Sequence, residues 1–74
     1  MQFMAKIRTG HVLKFEDGTY YIEESPFITP NLEDAELYFK YFDIMEAQQR
    51  ADRNTQRNTE MLRIEFQVTY IVPK

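Results

Sequence analysis

The sequence predicts an α+β domain: an antiparallel sheet of about three strands, a hairpin plus a long C-terminal strand, with a central helix packed on one face. Three stretches predict it. VLKFEDGTYYIEE sets Asp17-Gly18 between two β-prone runs, the signature of a tight hairpin whose turn needs positive φ. MLRIEFQVTYIVPK alternates apolar and polar residues without interruption, the period of a strand with one buried face, and Pro73 ends it. Between them, LEDAELYFKYFDIMEA spaces its apolar residues at three and four, the period of a helix.

Pairing Glu16 with Thr19 across a two-residue turn puts Leu13, Phe15, Tyr20 and Ile22 on one side of the hairpin. Val12, Lys14, Tyr21 and Glu23 then take the other, solvated side. Upstream, Phe3, Ala5 and Ile7 alternate with Met4, Lys6 and Arg8, which permits a further strand or an extension of the first. Pro26 and Pro30 in SPFITPN exclude regular helix and predict an extended link with Phe27 or Ile28 tucked beneath it.

The helix is expected from about Leu32, started by Thr29-Pro30 or by Asn31 with Asp34, with Glu33, Asp34 and Glu36 near its positive end. On a wheel, Leu32, Ala35, Tyr38, Phe39, Phe42 and Met45 form one core face. Leu37, Tyr41 and Ile44 form a second stripe, roughly opposite, that a single sheet cannot cover. Two outcomes are open. A bend near Asp43, with Asp43-Ile44-Met45-Glu46 as the capping box of a second helix, buries the stripe internally; otherwise it stays exposed for a partner. No large apolar residue lies between Gln48 and Glu60, and the helix is expected to fray near Arg53 to Arg57. The expected core is Leu13, Phe15, Tyr20 and Ile22 from the hairpin, Leu32, Ala35, Phe39 and Phe42 from the helix, and Leu62, Ile64, Phe66 and Val68 from the last strand. Truncation of Phe39 or Phe66 to alanine is expected to cost on the order of 3–5 kcal/mol.

The 74 residues, 1–74, make one domain, small enough to bury only about 60% of its unfolded surface. With no cysteine and a single histidine, neither a disulfide nor a zinc site can staple the core, so packing or oligomerisation must hold it. The lack of cysteine fits a reducing cytoplasm, and no apolar run approaches the length of a membrane helix. Net charge is −3, unevenly spread: residues 15–46 carry nine acids against Lys40 alone, whereas residues 1–14 carry Lys6, Arg8 and Lys14 without an acid. An acidic middle disfavours docking on nucleic acid and favours a basic protein surface or plain solvation.

No catalytic residue is expected. Ser25 precedes a proline and His11 follows a glycine, so both read as turn residues rather than as a nucleophile and its base. The carboxylate pairs Glu23-Glu24 and Glu33-Asp34 are sequence neighbours that point apart, and Gly10 and Gly18 alone cannot build a phosphate loop. No cofactor or metal is expected either. What remains is a binding protein whose candidate contact residues are the stripe Leu37, Tyr41 and Ile44 and the helical face Arg50, Arg53 and Arg57. Two alternatives stand beside it: a self-assembling homodimer that uses the stripe and the open end of the last strand, and a nucleic-acid-binding accessory protein.

ITPNLEDAELYF, with its Thr/Asn-Leu-acid-acid-Ala helix start, and the closing strand FQVTYIVPK resemble small bacteriophage-encoded host-takeover proteins, notably the short inhibitors of bacterial RNA polymerase. The resemblance covers about residues 12–74 and consists of layout and short matches. It implies a phage-derived protein that regulates a host complex such as RNA polymerase in the host cytoplasm. The polar stretch from Gln48 to Glu60 departs from the shortest members, and no binding residue is transferred.

Overall fold

In a computed structural model that describes residues 2–73, the chain runs β1 (Gln2–Phe15), β2 (Tyr20–Tyr21), β3 (Ile28–Thr29), a 3-10 turn (Leu32–Asp34), α1 (Tyr41–Thr55) and β4 (Thr59–Val72). It is an α+β fold with a single antiparallel sheet of order β3-β2-β1-β4 and one helix across one face. The fourth strand is β3, where the Pro-bounded link straightens. Phe27 and Ile28 pack against the core from there, Phe27 stacking on Tyr21 with ring centroids 6.4 Å apart.

The hairpin lies where Asp17-Gly18 places it, but its loop holds three residues instead of two. Gly18 N–H donates to the Phe15 carbonyl at 3.0 Å, Phe15 N–H to the Thr19 carbonyl at 2.8 Å, and Gly18 sits at φ 89°. This is a type I turn followed by a left-handed residue, the other favoured way to close a hairpin, and glycine alone enters that region without a Cβ penalty. Lys14 therefore faces Tyr20, one residue away from the expected register. A one-residue slip exchanges the faces of a strand. Tyr21, expected in solvent, lies fully buried beside Leu13 and Phe15, while Tyr20 and Ile22 are only half-buried. Val12, also expected in solvent, is fully buried on the opposite face.

The helix does not begin at Leu32. One 3-10 turn forms there, and residues 35–40 then run extended, because Tyr38 exchanges two backbone bonds with His11 at 2.8 and 2.9 Å and becomes a short neighbour of β1. Helix starts only at Tyr41 and ends at Thr55, within the expected fraying zone, with Gln56 in the left-handed cap position at φ 56°. There is no bend at Asp43, which lies in the first turn of α1. Ile44, Ala47 and Ala51 form the inward face of α1 and are fully buried against Leu13, Phe15, Tyr21 and Tyr38. Leu32, Phe39 and Phe42, expected in the core, are exposed: Leu32 and Phe39 lie outside α1, and a wheel phased on them turns the wrong face of the helix inward.

His11 is a mid-strand residue rather than a turn residue, since the alternation of Phe3, Ala5 and Ile7 does extend the first strand and carries it through Gly10 and His11. At Gly10 the strand passes beneath the returning chain: a Cβ there would lie 3.3 Å from Leu37 and 3.5 Å from the rings of Phe39 and Phe66. β1 and β4 pair along their whole length, Gln2 opposite Val72 through Phe15 opposite Thr59. Helix, turn and short strands cover only the inner part of this ribbon. Its outer part, residues 2–9 with 65–72, projects as an arm, and the molecule extends 50 × 23 × 18 Å.

Candidate functional site

Two features of the described residues gather chemistry, and they differ in kind. The first is a polar cluster under the C-terminal half of α1. Glu23 accepts from Tyr21 Oη at 2.9 Å, Tyr38 Oη at 2.8 Å, Arg50 Nε at 3.2 Å and Arg50 Nη2 at 2.6 Å, while Asn54 Nδ2 donates to Tyr21 Oη at 3.0 Å. The guanidinium of Arg50 and the two phenols hold the Glu23 carboxyl below its usual range despite partial desolvation. Desolvation first, then Glu23, pushes the Tyr38 phenol far above its usual value. A carboxylate with four donors has no lone pair poised for proton abstraction, and phenols pushed upward are poor acids. The cluster ties β2, the extended segment and α1 together. Sequence reasoning missed it, because its members are separated by 15, 27 and 33 positions and no local pattern marks them.

The second feature is apolar surface. Tyr41 and Phe42 are each 68% exposed at the start of α1, with Met45 beside them and the carboxylates of Asp43 and Glu46 around them. Between this end of the helix and β4 runs a groove of about 410 Å³ whose apolar lining is Tyr41, Met45 and Met61. On the other face of β4 a second groove, of about 330 Å³, is lined by Leu32, Ala35, Leu37, Ile64 and Phe66. Along the arm, Phe3, Ile7 and Ile71 are exposed on the helix-bearing face, and Met4 and Tyr70 on the other.

The expected contact residues are not brought together. Of the stripe, Leu37 packs over Gly10, Ile44 is in the core and only Tyr41 is exposed. Of the three arginines, Arg50 is held by Glu23, and Arg57 is held by Asp17 at 2.9 Å with its guanidinium 4.6 Å from the Phe15 ring. Asp17 is in turn lowered to about 2, by the Thr19 hydroxyl and amide first and Arg57 next. Of the three, Arg53 alone is exposed with no ion pair among the described residues. Among the described residues no helix is long and apolar enough to cross a membrane, and no group of three or more acidic or histidine side chains is placed to hold a metal. Comparison with protein-family models, with curated proteins and with solved structures finds no match to this chain.

Proposed function

We propose that this chain is a non-enzymatic protein-binding module, a phage-derived regulator or inhibitor of a host complex such as bacterial RNA polymerase. The observation that carries the reading is the exposed aromatic pair Tyr41 and Phe42 set among acids at the head of α1. Large rings with an acidic surround suit a basic, partly apolar protein surface, since aromatic side chains anchor interfaces and surrounding charge steers the encounter. The acidic balance of residues 15–46 and the layout resemblance to polymerase inhibitors lend further support. Nucleic acid is the poorer partner, because two of the three helix arginines are already neutralised within the chain. The test is purified bacterial RNA polymerase with wild-type protein and with Phe42→Ala and Asp43→Lys variants. A stoichiometric complex that lowers transcription in vitro, weakened about tenfold or more by either variant, is the expected result. No complex and unchanged transcription would refute the polymerase reading.

A further inference from the structure

The arm leaves the molecule with more surface than its mass requires. The accessible area is 5620 Å² for a chain of 9.0 kDa, whereas a compact monomer of that mass exposes about 4,850 Å². The excess, roughly 770 Å², is close to the roughly 800 Å² that one partner contributes to a standard protein interface. The radius of gyration, 14.5 Å, likewise exceeds the about 11 Å of a compact chain of this length. A two-stranded ribbon uncovered on both faces is marginal in water and gains from added strands.

Backbone parity shows where a strand can be added. His11 and Phe15 bond away from β4, so the odd-numbered residues of β1 point outward and the even-numbered ones face β4. The even residues of β4 face back, and its odd residues point to the open edge; Gln48 Nε2 meets the Thr59 carbonyl there at 2.9 Å. Beyond that seal, Met61, Arg63, Glu65, Gln67, Thr69 and Ile71 present outward amides and carbonyls that no described backbone group meets. The outer edge of β1 is also open, but it carries Lys6 and Arg8, charges of the kind that keep exposed edges apart. From Met61 to Ile71 β4 carries one charge of each sign, Arg63 and Glu65, with no proline or lysine, whereas Lys6 and Arg8 are alike in sign.

We propose that the chain forms a two-fold homodimer through antiparallel pairing of β4 with β4 of a second copy. The longest overlap of residues 61–71 with themselves centres on Phe66, which then faces its own copy at a closely spaced, non-hydrogen-bonded position. Every pair in this register matches: Ile64 with Val68, Leu62 with Tyr70, Glu65 with Gln67, Arg63 with Thr69 and Met61 with Ile71. No like charges oppose each other. Each groove is lined in part by β4, so the register sets apolar side chains of the second copy next to both. Ile71 of the second copy comes beside Met61 at the Tyr41–Met45 groove, and its Val68 comes beside Ile64 at the Leu37–Phe66 groove. The dimer does not depend on the polymerase reading, and it leaves Phe42 and Asp43 free.

Sedimentation equilibrium from low to high micromolar protein tests the pairing. The wild type is expected at twice 9.0 kDa. Gln67→Pro removes an outward amide that the β1–β4 ladder does not use, so it should be monomeric with an unchanged circular dichroism spectrum. Thr69→Lys sets a lysine opposite Arg63 of the second copy and should weaken the dimer about tenfold. Adding Arg63→Glu should restore it, a rescue that a merely misfolded variant would not show. A wild type monomeric throughout, a Gln67→Pro protein still dimeric, or no rescue by the charge exchange overturns the proposal.

Discussion

Glu23 joins more of the molecule than any other side chain, and its ionisation makes that contribution depend on pH. Its folded value lies below the ordinary 4.5, chiefly because Arg50 donates to it. The stabilisation is therefore present above the ordinary carboxylate range and is lost as pH falls through the lowered folded value. Arg50 is partly exposed and can rehydrate, so Glu23→Gln is expected to cost about 2 kcal/mol, or roughly 10 °C in melting temperature near neutral pH. The difference between wild type and variant should shrink as pH falls from the ordinary carboxylate range through the lowered folded value of Glu23, below which both carry a neutral side chain. Asp17, lowered to about 2 by Thr19, titrates in both proteins and cancels from that comparison. Thermal melts over a pH series check this; a gap that stays constant into acid would show that Glu23 acts through shape and not charge.

Among the elements, those whose causes are local were legible. The alternation of Leu62, Ile64, Phe66 and Val68 specifies a strand half-buried on one face, and β4 is that strand. Asp17-Gly18 marks the turn, yet a glycine with positive φ serves a two-residue or a three-residue loop equally, so the register and the face of Tyr21 were not written there. The segment from Leu32 to Lys40 has helical period, but the backbone of His11 captures Tyr38 and its hydroxyl reaches Glu23, contacts that no window of neighbouring residues contains. That capture alters which helix residue matters. Ile44→Ala empties a fully buried site and should cost about 2–5 kcal/mol. Phe39 lies on the exposed side with one tilted contact to Phe66 at 6.2 Å and Arg8 over its ring at 5.6 Å, so Phe39→Ala should cost only about 1 kcal/mol. Urea unfolding of the two variants checks the ranking, and a larger loss at Phe39 would mean that the helix does begin before Tyr41.

At the scale of the whole molecule, an elongated ribbon on a small core makes stability and assembly one question. A dimer that binds only the folded chain raises its melting temperature with protein concentration. The same parity that selects the edge predicts how this protection is distributed along β4. Amides of Ile64, Phe66, Val68 and Tyr70 bond to β1 within one chain and should exchange slowly at any concentration, limited by opening of the arm. Amides of Glu65, Gln67, Thr69 and Ile71 point outward and should exchange freely in dilute protein, then become protected as concentration rises. Residue-resolved hydrogen exchange at two concentrations therefore reads the interface directly. Alternating, concentration-dependent protection along β4 identifies edge pairing. Outward amides that exchange freely at both concentrations, with added protection confined to the amides bonded between β1 and β4, would instead indicate two arms stacked face to face, which covers apolar side chains without engaging the outward amides.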